Sequence, residues 1–557
     1  MFLVQIPIFE KNRNKMKRLF PFLLLLLIGY GATAQPVPRP KLVVGIVVDQ
    51  MRWDYLYRYY DRYGNDGFKR MLNEGFSCEN TFISHLPSYT AVGHTTVYTG
   101  SVPAIHGIAG NNWIEQATGK NMYCTEDPDV EPVGSNSKAG KMSPKNLWTT
   151  TIADELRLAT NFQSKVIGVS LKDRASILPA GKNPTGAFWF DDASGKFITS
   201  TWYMKELPKW VQDFNAKDIP SKLIATPWTT LYPIHTYKQS TADDVKWEGK
   251  FQGETAPTFP HDLKKVYEKD KNVIRSTPYG NTLTLEFAKA AVEGNNLGGG
   301  TVTDFLTINC ASTDYVGHKF GPNSIEVEDV YLRLDKDLGE FLKFLDRKVG
   351  KGNYLVFLTA DHGAAHAINF MKENKLPADF LSTKNLLNKL NDLLKEQFGI
   401  EKLILSGSNY QVNFNYAKIK EHNADYEAIK KATIKFLKAA PDLQFVIDLE
   451  NVGSEPVPEP IKQMAINGYN PKRGGPILMV PFPGWFESAY NSTGTTHGTW
   501  GPYDTHIPLL WYGWKIKPGK TNREVHMTDI APTVAALLRI QMPSGNVGKV
   551  ITEITHQ

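Results

Sequence analysis

Short apolar runs rich in β-branched residues recur along the chain at 42–48, 165–171, 305–310, 354–359, 477–480 and 507–511. Runs that are apolar at successive positions, rather than alternating, predict strands buried on both faces, as in parallel sheets. Between them, 325–348 and 527–540 carry helical patterns. Strands alternating with helices predict an α/β fold, a mostly parallel central sheet with helices on both faces. Two stretches interrupt that rhythm. Residues from about 195 to 295 are rich in Trp, Tyr, Pro and Lys and read as an inserted cap. Residues from about 370 to 475 hold amphipathic segments at 386–397 and 426–438 and a Pro-rich turn at 455–460. They read as a second insertion.

The amino terminus follows a different rule. Lys15, Lys17 and Arg18 precede an apolar run of about ten residues, and Ala32-Thr33-Ala34 offers a small-x-small cleavage pattern. Residues 1–34 therefore read as an export signal, leaving 35–557 as one domain with two insertions. About ten apolar residues fall short of the roughly 20 that span a bilayer. No cysteine follows the cleavage site to carry a lipid. The expected location is periplasmic or secreted. Met16 is an alternative start, because the residues before it resemble no usual signal.

Removing the signal changes the charge picture. The whole chain is +6, but residues 1–34 contribute +4, leaving +2 for the remainder. A nearly neutral body has no general pull on nucleic acid or anionic membranes, so affinity for phosphate must be local. Three cysteines exclude a dense disulfide framework. In an oxidising compartment the expected pair is Cys78–Cys124, with Cys310 a buried free thiol.

The candidate chemistry lies just after the strand runs. Asp49 ends the first; Asp314 and His318 follow 305–310; Asp361 and His362 follow 354–359; His497 lies in Thr-Thr-His-Gly. The carboxyl ends of parallel strands converge on one edge, where ligands bind. Three aspartates and three histidines form an O/N donor set suited to zinc, about three per ion with one position open. Two ions roughly 3.5–4 Å apart clamp the entering and departing oxygens of an in-line displacement. A single Asp-His pair after a strand is more often a cap or a satisfied polar pair. Six such residues on strand ends are hard to explain that way.

The candidate nucleophile is Thr90, in Pro87-Ser88-Tyr89-Thr90-Ala91-Val92-Gly93-His94. Pro87 and Ser88 read as a turn, and a helix is expected to start near Thr90, where free N–H groups and the dipole favour an anion. Taken alone, Thr90 would be an N-cap. The six potential ligands favour the nucleophile.

The ordered set Asp49, Thr90, Asp314-x3-His318, Asp361-His362 and His497 resembles the alkaline phosphatase superfamily. More narrowly, it looks like the threonine-nucleophile, phosphate-irrepressible bacterial branch, over about residues 40 to 540. The resemblance implies one zinc at Asp49, Thr90, Asp361 and His362 and a second at Asp314, His318 and His497. It implies that Asn111 holds a phosphoryl oxygen and that Lys172 and Arg174 are the pair typical of monoesterases. A monoester is a dianion, and two further cations match its charge. Lys172 stands where other members place magnesium, so no third metal is expected. The implied function is hydrolysis of small phosphate monoesters through a phosphothreonine, by a monomer.

The nearest rival is a phosphodiesterase or nucleotide pyrophosphatase using the same metals. A sulfatase would resemble Cys- or Ser-x-Pro-x-Arg, which the Thr90 segment lacks. A reading from another class is a non-catalytic phosphate-binding protein on an enzyme scaffold. His94 and His106 read as satisfying backbone groups, His366 as a candidate support for a ligand, and Asp54 and His506 as structural. Asn491-Ser492-Thr493 fits a glycosylation sequon but is uninformative.

Overall fold

The computed structural model describes residues 37–489 and 492–555. The stretch read as an export signal, 1–34, and Asn491 of the sequon lie outside them.

Five parallel strands form the centre: β1 (Leu42–Val48), β2 (Val166–Ser170), β3 (Gly186–Asp191), β4 (Asp304–Cys310) and β5 (Tyr354–Thr359). Each is buried at every position, which is why their sequences do not alternate. Their order is β5–β1–β4–β2–β3. Antiparallel strands extend both sides: β6 (Leu509–Gly513) beside β5, and Lys196–Ser200 beside β3. Among the described residues the sheet has eleven strands.

Two expected parallel strands differ. The 507–511 run splits into His506–Ile507 and β6 and is antiparallel. Pro508 between them has no N–H to donate. Ile477–Pro481 leaves the main sheet for a four-stranded antiparallel one with Ile404–Ser406, Gln411–Phe414 and Leu443–Asp448. An apolar run reports burial on both faces but not strand direction.

Flanking helices include α1 (Thr90–Thr99), α2 (Asp173–Ala180), α3 (Tyr279–Asn295), α4 (Ser312–Phe320) and α5 (Ile325–Leu345). Ser324 caps α5 by accepting from the Val327 N–H, and Glu326 and Glu328 occupy the first turn, where the dipole favours acids. The expected 325–348 helix ends early, in a π-turn at Asp346–Gly350. The 527–540 helix opens with a 3₁₀ turn before Ile530–Leu538.

The two stretches read as insertions pack differently. Phe197, Phe214 and Phe287 enter the main core, with Phe197 stacked on Phe287 at 3.8 Å. Residues of the later stretch, including Leu390, Val412, Ile429 and Ile447, build a second apolar cluster beneath helices Thr383–Phe398 and Tyr426–Lys438.

All three cysteines are free and buried, so the expected Cys78–Cys124 disulfide does not form. Cys78 packs in the main core, whereas Cys124 packs with Trp113 and Ile108 in a separate small cluster. Burial pushes both thiols up to about 12. No helix among the described residues is long and apolar enough to cross a membrane.

Candidate active site

Strand register assembles the site. Val47 of β1 lies opposite Thr359 of β5 and Asn309 of β4, so all three strands end level. Asp49 leaves β1, Asp361 leaves β5 and Asp314 enters α4, all at the carboxyl edge. Lys172 leaves β2 at the same edge and precedes α2.

Thr90 is the first residue of α1, a helix buried along its whole length. A buried helix this rich in threonine is tolerable because its hydroxyls are bonded. Thr95 and Thr99 donate to the carbonyls of Ala91 and Thr95 at 2.6 and 2.7 Å. Thr96 meets His85 and His106. Gly93 lets the helix approach β5: a Cβ there would lie 2.2 Å from the Asp361 carbonyl oxygen. Gly100, at φ 61°, ends α1 in the left-handed conformation.

Two groups of potential metal ligands converge, Asp49 with Asp361 and His362, and Asp314 with His318 and His497; each set of ligand atoms lies within 4.8 Å. The Thr90 hydroxyl is 3.4 Å from His362 Nε2 and 3.4 Å from Lys172 Nζ. His362 and His497 stack at 3.4 Å, joining the groups. All three histidines place Nδ1 against a backbone carbonyl, of Gly363, Thr495 and Ser88, at 3.0, 2.9 and 2.6 Å. That arrangement assigns the proton to Nδ1 and turns the Nε2 lone pair toward the carboxylates, as metal-binding histidines require.

The carboxylates are undercompensated. Lys172 Nζ lies 2.9 Å from Asp49 Oδ2 and 2.6 Å from Asp314 Oδ2, bridging the groups. One ammonium thus serves two of the three buried carboxylates and does not pair with Asp361. Asp49 Oδ1 and Asp361 Oδ2 are buried without a hydrogen-bond partner. Burial opposes charge on Lys172, but Asp314 and Asp49 outweigh it and raise its pKa. Burial, with Asp361 nearby, raises Asp49 well above the usual carboxylate range. Burial would raise Asp314 too, but His318, when its Nε2 carries a proton in place of a metal, and Lys172 hold it well below that range. Burial drives His497 well down, helped by His362 and His318. Unpaired buried carboxylate oxygens facing imidazole lone pairs fit divalent cations, which would supply the missing positive charge.

Of the residues read as phosphoryl-binding, Lys172 and Asn111 meet the nucleophile segment. Asn111 Oδ1 accepts from the Ala91 N–H at 2.9 Å, in the first turn of α1. Its Nδ2 makes no hydrogen bond within the described residues. Arg174 Nη1 donates to the Tyr123 hydroxyl at 3.1 Å.

Comparison with known proteins matches this architecture. The type I phosphodiesterase / nucleotide pyrophosphatase family profile matches residues 43–503. Alkaline phosphatase PafA of Elizabethkingia meningoseptica is 57% identical over 93% of this chain and 95% of its own length. Its wild-type crystal structure superimposes with a TM-score of 0.92 at 56% identity, covering 94% of this chain and all of that one. Alkaline phosphatase PhoV of Synechococcus elongatus is 54% identical over 93% of this chain and 94% of its length. The chain belongs to the phosphate-irrepressible alkaline phosphatases. A further relative, from Myroides odoratus, is 53% identical over 94% of this chain and 96% of its length and is named calcium-transporting ATPase. The alkaline phosphatase superfamily is metal-dependent, in keeping with the two ligand groups.

Several side chains at this alkaline phosphatase site escaped sequence reasoning. Gln50, at φ 61°, donates its N–H to Asp361 Oδ1 at 3.1 Å and its amide to Asp314 Oδ1 at 2.7 Å. Its place directly after Asp49 was the available signal. Tyr123 donates to Asp173 Oδ1 at 2.8 Å while accepting from Arg174, and Thr125 donates to Asp173 Oδ2 at 2.6 Å. This clamp fixes Arg174, and nothing local marks it in the sequence. His94 meets the Thr90 carbonyl at 2.9 Å, as expected of it, and also approaches Asp361 Oδ2 at 3.3 Å. His106 accepts from the Ile108 N–H. His366 bonds Arg52 and Asn323 rather than a candidate ligand. Asp54 pairs with Arg52, and His506 bonds the Glu79 carbonyl.

Proposed function

We propose that this chain hydrolyses phosphate monoesters by transferring the phosphoryl group to Thr90 and then to water. The supporting observation is the Thr90 hydroxyl, 3.4 Å from His362 of one candidate ligand group and 3.4 Å from Lys172, which bridges both groups. Asp49, Thr90, Asp361 and His362 would hold one zinc, and Asp314, His318 and His497 the other. When bound, the ions supply Lewis-acid charge that favours ionised oxygen nucleophiles and departing alkoxides.

The chain's own residues do the rest. Thr90 presents its oxygen from the first turn of α1, where the helix dipole favours negative charge. As the Thr90 oxygen–phosphorus bond forms, the ester oxygen–phosphorus bond breaks, and the Thr90 proton ends on the departing alcohol. Water then attacks the phosphothreonine and restores the hydroxyl, releasing phosphate. Asn111, pinned through its Oδ1, turns its amide N–H groups to a phosphoryl oxygen. Lys172 and Arg174 stabilise charge spread over the equatorial oxygens of a loose transition state. The residues from α1 and the strand ends are largely buried, which strengthens these interactions.

Two cations beyond the metals favour a dianionic monoester over a singly charged diester. The terminal phosphoryl of ATP presents the same dianion, so ATP hydrolysis lies within this chemistry. The export reading of 1–34 places the reaction in the periplasm or medium, with the chain acting as a monomer. The family profile's name keeps a diesterase as the second reading. Comparing kcat/KM for p-nitrophenyl phosphate and bis-p-nitrophenyl phosphate decides between them. The monoester is expected to win by at least about a hundredfold, worth ~2.7 kcal/mol. Equal or inverted values overturn the proposal.

A further inference from the structure

Tyr89, the residue before the nucleophile, lines a cavity of about 460 Å³ together with helix Thr383–Phe398, the segment 404–410 and Glu487. That volume falls within the ~300–1,000 Å³ of small-ligand sites. Two contacts tie the cavity to the reaction centre. The Tyr89 ring stands edge-on to His497 at 5.5 Å, on the side of the Asp314, His318 and His497 group. Asn409, also in the lining, donates from Nδ2 to the Asn112 carbonyl at 2.9 Å. Its amide lies 2.5 Å from where a Cβ on Gly110 would stand. Gly110 and Asn112 flank Asn111. The cavity wall is therefore anchored beside the nucleophile and beside the phosphoryl-binding amide.

The loop that forms this wall is strained. Asn409 and Tyr410 sit at φ 61° and 59°, a left-handed conformation that Asn tolerates but that costs Tyr410 roughly 1–2 kcal/mol. The Asn409 bond to Asn112 and the Glu487 N–H bond to the Tyr410 hydroxyl, 3.0 Å, hold it there. Backbone strain of this kind clusters at ligand sites.

We propose that this cavity receives the alcohol portion of the phosphate monoester, and that the group it takes is neutral and hydroxyl-rich, a sugar or polyol. The proposal rests on the phosphatase reading above. Its chemistry follows from the lining. Lys384 and Asn388 are exposed, and their side chains make no hydrogen bond within the described residues. Ser408 adds a hydroxyl, and Glu487 uses Oε2 for Thr383 while Oε1 makes no hydrogen bond among the described residues. One ammonium and one carboxylate cancel, so the cavity draws neither a second phosphate nor an amine. Amide, hydroxyl and carboxylate together offer the donors and acceptors that neighbouring hydroxyls need. The Tyr89 ring supplies an apolar wall.

The test uses the full-length, metal-loaded enzyme and the ratio of kcat/KM for glucose 6-phosphate to that for methyl phosphate, whose alcohol is too small to reach the cavity. The wild type should favour glucose 6-phosphate. Asn388→Trp, which sets an indole across the opening from an exposed helix position, should lower the ratio about tenfold, and Ser408→Ala about threefold. A ratio unmoved by both substitutions overturns the subsite. A loss confined to adenosine 5′-monophosphate, with glucose 6-phosphate spared, overturns the hydroxyl-rich assignment. A wild type that hydrolyses neither phosphate ester overturns the phosphatase reading itself.

Discussion

The carboxyl edge of the main sheet and the segment 383–410 contribute to the same region by opposite means. At the sheet edge, Asp49, Thr90, Lys172, Asp361 and His362 are almost wholly buried, and each imidazole is fixed by a backbone carbonyl. Across Tyr89, Lys384 and Asn388 stand exposed, on a helix beside a strained loop. Rigidity is needed at the first and not at the second. Moving charge in a transition state demands donors that are already oriented, whereas recognising an alcohol tolerates exposed side chains. Substitutions at the edge should therefore change rates, and those across Tyr89 should change preferences.

The largest effect is expected at the nucleophile. Thr90→Ala should lower kcat by about 10⁴-fold or more, ~5 kcal/mol, while isothermal titration still detects phosphate binding by the metal-loaded protein. Full activity would remove Thr90 from the mechanism. Next, Lys172→Ala combined with Arg174→Ala should reduce monoester kcat/KM by about a thousandfold, ~4 kcal/mol. Diester kcat/KM should change far less. Equal losses would show that the pair does not select charge.

A second buried ionic cluster carries charge without a nucleophile. His261 lies between Glu254 and Glu326 at 2.8 and 3.3 Å. Burial would lower its pKa, but the two carboxylates hold it up to about 9. Burial, the largest cause for both, raises Glu326 to about 7 and Glu248 to about 10. All three groups bind protons more tightly in the folded chain than in the unfolded one. The stability contributed by His261 is therefore complete below about pH 6.5 and is lost as pH rises through about 9. The loss is on the order of 3 kcal/mol. Thermal unfolding of wild type should weaken over that window, and His261→Gln should flatten the decline. An unchanged profile would contradict this assignment.

The smallest effect tests the clamp on Arg174. Tyr123→Phe removes one hydrogen bond to the guanidinium and should lower the monoester-to-diester ratio by about five- to tenfold, ~1 kcal/mol. A uniform loss on both substrates would mean the hydroxyl supports folding rather than aim.

Sequence reasoning reached those parts of the molecule that local pattern controls. β1 and β5 occupy the expected bounds, and α1 starts at Thr90. Asp49, Asp314, His318, Asp361 and His362 converge because strand ends in a parallel sheet must share an edge, whereas His497 joins them from a loop held by the Ser88 carbonyl. Strand direction was not legible: β6 and Ile477–Pro481 are as apolar as their parallel counterparts. The Tyr123–Asp173 clamp was not legible either, since it joins side chains 50 positions apart. Cys78 and Cys124 looked like partners only because both flank the Thr90 segment; packing sends them to separate clusters.

Anomalous diffraction at the zinc edge shows whether two cations flank the Thr90 hydroxyl. The expected result is two peaks, one among Asp49, Thr90, Asp361 and His362 and the other among Asp314, His318 and His497. A single peak, or none near the Thr90 hydroxyl, would contradict the account.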